Sequence, residues 1–308
     1  MIVPFLKLIR FKNLLIIAAA QLLLKYSFLN GSGISLSLSN TYFLMLLIAT
    51  ISIAAAGYII NDVYDVDIDK INKPKSVIIN KFITEKSAIS FFVFFNALGL
   101  VLSSFLAYKI GHLAYGLIYL FMAFSLLQYA QSWKNLLFVK NILVSFLVAL
   151  SVLLVGIYDI IPTTTPLNAH SQSIVFSIVI DYTLFAFLMN LIREIVKDAE
   201  DVDGDQKKDV KSIILVYGIK KTKLLLYFLN VLLIIAVIYY TLTFFSFSNI
   251  SLIYMFLLVA FPSIVNFVWL IKAKEKRDFK KISKLLKLIM LFGLGSIALI
   301  NLLNNYAQ

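Results

Sequence analysis

The chain of 308 residues is 61% apolar and only 14% charged, with a mean hydropathy of +0.93. A soluble globular protein carries about a quarter charged residues, so a water-soluble fold is excluded, and the absence of cysteine rules out disulfides, thiolate nucleophiles and cysteine metal sites. The net charge of +12 lies in segments between apolar runs, which predicts a surface beside anionic lipid headgroups and no nucleic-acid partner.

A bilayer core of about 30 Å takes about 20 mostly apolar residues per helical span. Windows at 13–30, 41–61, 89–108, 113–130, 137–158, 174–192, 224–246, 250–271 and 285–303 qualify. They predict an all-α, multi-pass membrane bundle of nine transmembrane helices in one domain over residues 1–308. The first window follows Lys7, Arg10 and Lys12 and mimics a signal peptide. No clear small-residue cleavage site follows it and eight more spans do, which predicts a retained first helix. The segments before span 1 and after spans 2, 4, 6 and 8, with the span ends that border them, hold 26 of the 28 Lys and Arg; only Lys25 and Lys109 fall elsewhere. This asymmetry predicts a cytoplasmic N-terminus and an outer C-terminus, in a prokaryotic plasma membrane, because no targeting sequence accompanies it.

The second span leads into an acidic run, Asn61-Asp62-Val63-Tyr64-Asp65-Val66-Asp67-Ile68-Asp69. The sixth leads into another, Asp198-Ala199-Glu200-Asp201-Val202-Asp203-Gly204-Asp205. Eleven of the sixteen acids lie within 62–69 and 194–209, where loop topology has no use for them. Both runs hold the ladder D-x-x-D-x-x-x-D: Asp62, Asp65, Asp69 and Asp198, Asp201, Asp205. Offsets of three and seven share one helix face, where like charges repel unless a cation holds them together; Asp67 and Asp203 point off that face. Two such faces turned toward each other predict a pocket for Mg²⁺ and a polyphosphate, since Mg²⁺ is usually held by one or two carboxylates plus substrate phosphates.

Metal charge would favour loss of diphosphate from an allylic substrate. The carbocation left behind needs a dry, aromatic-lined cavity, for which the chain has 26 Phe and 16 Tyr. Lys70, Lys73, Arg193 and Lys197, beside the ladders, are candidates to grip the diphosphate. Further along, Pro262 inside span 8 predicts a kink, and the loop at 272–284 is basic without a comparable acidic run.

At these residues the chain resembles the UbiA superfamily of intramembrane prenyltransferases, which carry an N-D-x-x-D-x-x-x-D motif after the second helix and a second aspartate-rich motif after the sixth, on nine helices. Leu8-Ile9-Arg10-Phe11-Lys12-Asn13 looks like that family's R-x-x-N element, whose Asn faces the active site. The segment 129–134, with Tyr129 and Lys134, followed by Lys140 and Asn141, is similar to the family's polar segment between helices four and five. The resemblance implies a central cavity, Mg²⁺ as cofactor, and the six ladder aspartates with Asn61 binding metal and diphosphate. Asn13, Arg193, Lys197, Tyr129 and Lys134 would support them.

Within the superfamily the two motifs look most like those of the geranylgeranylglycerol-phosphate geranylgeranyltransferases. The implied reaction moves a geranylgeranyl group from its diphosphate to the free hydroxyl of geranylgeranylglyceryl phosphate, an ether-lipid precursor. The implied partners are a prenyl diphosphate, a lipid-soluble acceptor and membrane lipids, with no obligate protein partner. Family members commonly continue after the first motif with an arginine and a proline-rich stretch ending in Ser-Gly; here the chain reads Lys75-Ser76-Val77-Ile78-Ile79-Asn80-Lys81. An aromatic acceptor of the quinone, chlorophyll or haem kind would use the same chemistry and stays open. A cation transporter is a distant alternative: it would carry its acids near the bilayer midplane, and here they cluster at span ends.

Overall fold

The computed structural model describes residues 2–72, 74, 76–202, 206, 211–246 and 248–304; the candidate residues Lys73 and Asp205 lie outside them. Among the described residues the fold is all-α, with nine helices long and apolar enough to cross a membrane. They are α1 (Phe11–Gly31), α2 (Asn40–Tyr64), α3 (Glu85–Lys109), α4 (Leu113–Gln131), α5 (Val139–Thr163), α6 (Ala169–Glu200), α7 (Ile213–Phe244), α8 (Asn249–Lys272) and α9 (Lys276–Leu299). Short helices Ile2–Leu8 and Val66–Asn72 precede α1 and follow α2.

All nine expected spans form. Three run well past the apolar windows: α6 continues to Glu200, α7 begins at Ile213 and α9 at Lys276. Hydropathy ends where charge begins, whereas a helix satisfies its own backbone and continues wherever its polar side chains find water or a cavity. Near its start α7 is broken at Gly218, with φ +77° and ψ 164°, a conformation that glycine adopts without a Cβ clash. At Pro262, where the sequence predicts a kink, the regular α-helix is interrupted by a π-helical turn, Phe256–Ala260, just before the proline. Proline lacks an N–H and crowds the carbonyl four residues back, so the regular ladder cannot pass through it.

The helices close into a ring. Helix α2 packs on α3 and α4, α5 on α4 and α6, and α6 on α7 and α9; α8 contacts both α7 and α9, and α1 completes the ring against α2, α5 and α9. One apolar core joins α1, α2, α4, α5 and the first half of α6. A second joins the other half of α6 to α7, α8 and α9. The loop after the first acidic run folds back, so that Ile78, Ile79 and Ile83 pack on Leu8, Ile9 and Ile59.

Helices α2 and α3 meet closely at Gly99, where an added Cβ would lie 2.7 Å from Ile53 Cδ1 and 3.1 Å from the Ala49 carbonyl oxygen. A backbone carbonyl cannot swing aside. Gly99→Val should therefore destabilise the protein by about 1–3 kcal/mol, read as a lower thermal midpoint in detergent. An unchanged midpoint would mean that the two helices part freely.

At the end of the bundle opposite the acidic runs, Lys25 and Asp159 form an ion pair at 2.7 Å, their side chains 3% and 0% exposed. Lys25 Nζ also donates to the Leu38 carbonyl at 2.9 Å, and the Leu38 N–H donates to Asp159 Oδ1 at 2.8 Å. The pair fastens α1 and the α1–α2 loop to the end of α5. It accounts for one of the two basic residues that break the charge asymmetry.

Candidate functional site

Helix α6 builds one wall. Residues four apart stack on one helix face, and two adjacent rows of α6 point inward: Tyr182, Ala186, Asn190, Glu194, Asp198 and Phe185, Met189, Arg193, Lys197, Asp201. Each row grades from apolar or aromatic to charged. Helix α2 does the same with Thr50, Ala54, Tyr58, Asp62 and, beside it, Gly57, Asn61, Asp65.

These walls enclose three cavities in series. A polar cavity of about 390 Å³ lies between the acidic runs, bordered by Asp62, Asp65, Asp69, Asp198 and Asp201. It shares Arg10, Asn61, Tyr129, Glu194 and Lys197 with a second, of about 160 Å³. That one shares Ile16, Ile17, Val148, Ser151 and Met290 with a third, of about 80 Å³, which is almost wholly apolar and includes Tyr182, Phe185 and Tyr240. From Asp198 to Tyr182 the α6 axis rises about 24 Å at 1.5 Å per residue.

The first ladder is not one unbroken helix face. Asp62 is in the last turn of α2, Asp65 caps its C-terminus with φ −98° and ψ 4°, and Asp69 follows in the short helix. The break keeps all three on the polar cavity. In the second ladder Asp198 is within α6 and Asp201 caps it.

Each first-ladder acid nearest the bundle meets a cation. Arg10 reaches Asp62 at 3.0 Å, and Lys134 reaches Asp65 at 2.5 Å. Asp65 also accepts from Asn61 Nδ2 at 2.7 Å. Across the cavity Lys140 meets Asp198 at 2.7 Å, and Asn141 Nδ2 donates to Asp198 at 3.2 Å. Burial opposes the Arg10 charge, but Asp62 and Tyr58 more than offset it and raise the guanidinium's pKa. Glu194 is bonded by Lys197 and approached by Arg193 at 3.5 Å.

Backbone strain helps aim these groups. Arg10 has φ +48° and Phe138, two residues before Lys140, has φ +65°. Left-handed conformations are unfavourable for residues with a Cβ and persist where surrounding structure enforces them.

Of the residues singled out in the sequence, Asn61, Asp62, Asp65, Asp69, Tyr129, Lys134, Lys197, Asp198 and Asp201 meet at the polar cavity, and Asn13 and Arg193 at the second. Lys70 does not join them. It pairs with Asp67 at 3.1 Å, both side chains more than 60% exposed, because it sits one turn from Asp67 on the outer side of the short helix. Glu194, Lys7 and Lys287 are not singled out by the motifs, yet they border the cavities. Signals exist for two of them: Glu194 is four residues before Asp198, and Lys287 is a charge within an apolar span.

Among the described residues no three acidic or histidine side chains converge to cage a metal by themselves. Two carbonyl oxygens, Oδ1 of Asn61 and Oδ1 of Asn141, are buried at the polar cavity without a hydrogen-bond partner among the described residues.

The sequence profile of the UbiA prenyltransferase family matches residues 26–291. The digeranylgeranylglyceryl phosphate synthase of Saccharolobus solfataricus is 35% identical over 80% of this chain and 81% of that protein. The enzyme of the same name from Methanosphaera stadtmanae is 27% identical over 96% and 98%. Among solved structures, one of a digeranylgeranylglyceryl phosphate synthase studied in membranes is 28% identical, covers 97% of this chain and 98% of that chain, and superposes with a TM-score of 0.63. A UbiA homologue from Archaeoglobus fulgidus bound to DMAPP and Mg²⁺ shares the fold, with a TM-score of 0.61 at 15% identity over 96% of this chain and 99% of that chain.

Proposed function

The chain belongs to the UbiA prenyltransferase family and is an integral membrane prenyltransferase, and from that premise we propose that it moves a geranylgeranyl group from its diphosphate to the free hydroxyl of geranylgeranylglyceryl phosphate. The observation that carries this reading is the identity to relatives named for that product, over four-fifths of the chain. The graded cavity agrees with it: a charged head suits a diphosphate, and the apolar stretch below suits a long prenyl chain.

In the reaction the bond from the allylic carbon to the diphosphate oxygen breaks, and its electron pair leaves with diphosphate. The glycerol oxygen bonds to that carbon and its proton is released. Arg10, Lys134, Lys140 and Lys197 supply positive charge around the leaving group. Asp62, Asp65, Asp69, Asp198 and Asp201, with Asp205 beyond the described residues, are the proposed metal ligands. The donor set fits Mg²⁺, a hard cation that takes oxygen and leaves room for substrate phosphates. The buried oxygens of Asn61 and Asn141 add neutral donors of the right kind. When bound, Mg²⁺ neutralises the departing diphosphate. Tyr182, Phe185 and Tyr240 line the cavity farthest from the ladders and keep the tail of the prenyl chain dry. The positive-inside pattern supports a cytoplasmic N-terminus and cytoplasmic acidic runs, an outer C-terminus, and a prokaryotic plasma membrane around a single domain.

Purified protein in detergent with Mg²⁺ and labelled geranylgeranyl diphosphate should convert geranylgeranylglyceryl phosphate to a labelled diether phosphate, read by mass. EDTA should stop transfer and added Mg²⁺ restore it. Product on an aromatic acid alone would move the acceptor to the ring class, and turnover indifferent to EDTA would remove the metal from the mechanism.

A further inference from the structure

The second cavity carries more positive charge than its own acid can balance. Arg10, Arg193, Lys197 and Lys287 border it, against the single carboxylate of Glu194. Arg10 is engaged by Asp62, and the one carboxylate of Glu194 is shared between Lys197 and Arg193, the latter at 3.5 Å. Lys287 is different. It lies on the inward row of α9 whose other members are Met290, Gly293 and Leu294, and a charge within a span is expensive unless something uses it. Its hydrogen bond goes to a neutral atom, Asn13 Oδ1, at 2.7 Å, and among the described residues it has no carboxylate partner. Arg193 and Lys12 both repel its ammonium. Arg193 in turn keeps its Nε buried with no hydrogen-bond partner among the described residues. Lys287, with no carboxylate partner among the described residues, and the idle Nε of Arg193 border the same cavity, and together they define a place for a second anion.

We propose that Lys287 and Arg193 hold the phosphate of the acceptor lipid, with Asn13 holding the Lys287 ammonium in place. The inference rests on the acceptor being a phosphorylated glyceryl lipid, as argued above. The phosphate-bearing carbon of that acceptor is bonded to the carbon that bears the free hydroxyl. The second cavity joins the polar cavity through Arg10, Asn61, Tyr129, Glu194 and Lys197, so anchoring the phosphate there keeps the hydroxyl on the next carbon within reach of the donor. The site thus selects a phosphorylated acceptor by charge, and it separates the two anionic substrates: one on the ladders, one on Lys287 and Arg193.

The test compares geranylgeranylglyceryl phosphate with geranylgeranylglycerol, its phosphate-free form, as acceptors for wild type, Lys287→Gln and Lys287→Arg. Gln keeps an N–H for Asn13 and removes the charge; Arg keeps the charge. Wild type should show a much lower KM for the phosphorylated acceptor. Lys287→Gln should raise that KM about 10- to 100-fold, leave the KM for geranylgeranyl diphosphate nearly unchanged, and lose most of the preference between the two acceptors. Lys287→Arg should restore it in large part. Equal KM values for the two acceptors in wild type would overturn the proposal without any variant. So would a Lys287→Gln enzyme whose donor KM rises in step with its acceptor KM, since Lys287 would then serve the diphosphate. Wild-type activity on an aromatic acid, with none on either glyceryl lipid, would instead defeat the acceptor assignment on which the proposal rests.

Discussion

Asp198→Asn should reduce turnover about 100- to 1000-fold, the scale on which loss of one preorganised electrostatic group acts, while the protein stays folded in detergent. Asp62→Asn, on the opposing wall, should do the same. The carboxylate of Asp198 is nearly buried and meets Lys140 at 2.7 Å and Asn141 at 3.2 Å. A merely structural ion pair would predict a different pattern. Leaving Lys140 without its partner would then be the whole defect, and Asp198→Asn combined with Lys140→Met should recover activity. If Asp198 acts on metal and diphosphate, the double variant stays as inactive as the single one, because the lost negative oxygen is not replaced. Wild-type turnover in either single variant, or recovery in the double, would end the two-wall mechanism.

Lys25→Met should destabilise the fold by about 3–5 kcal/mol, the usual penalty for stranding one member of a buried ion pair. Asp159 would remain fully buried, with the Leu38 N–H as its side-chain donor. Lys25→Met with Asp159→Leu should regain part of the loss, since replacing both charges with apolar groups removes the stranded carboxylate. Recovery should stay incomplete, because the Leu38 N–H then loses its acceptor, at about 1–3 kcal/mol. Denaturant-induced loss of helical signal in micelles reads both effects. The protein that remains folded should turn over normally, because the pair is at the far end of the bundle from the acidic runs. A Lys25→Met protein as stable as wild type would show that the pair contributes nothing.

The two ladders illustrate what a single sequence can and cannot disclose. Their spacing by itself points to shared faces, and five of the six aspartates do border one cavity. The break at Asp65 is invisible in that spacing, because a D-x-x-D-x-x-x-D pattern reads the same on one helix as on two short ones that happen to align. Lys70 stands beside the first ladder in sequence yet pairs with Asp67 at the surface. Adjacency along a chain says little about which way a side chain faces.

Glu194 and Lys287 mark the opposite error. Each could be flagged locally, by four-residue spacing or by a charge in a span, but their use depends on α1, α6 and α9 standing around the same space. Lys25 and Asp159 are 134 residues apart, and no local pattern joins them. Composition and hydropathy settled that the chain is a multi-pass helical membrane bundle, with nine spans among the described residues, since a bilayer admits few other folds for so apolar a chain. Motif spacing pointed to a metal and diphosphate site, since so many acids have no topological use at span ends, and the resemblance of the motifs to the UbiA superfamily implied prenyl transfer. The tertiary structure alone decided which cations answer which acids, where the cavity turns from charged to apolar, and where a second anion can sit. Those depend on distances between helices, which packing sets and sequence order does not record.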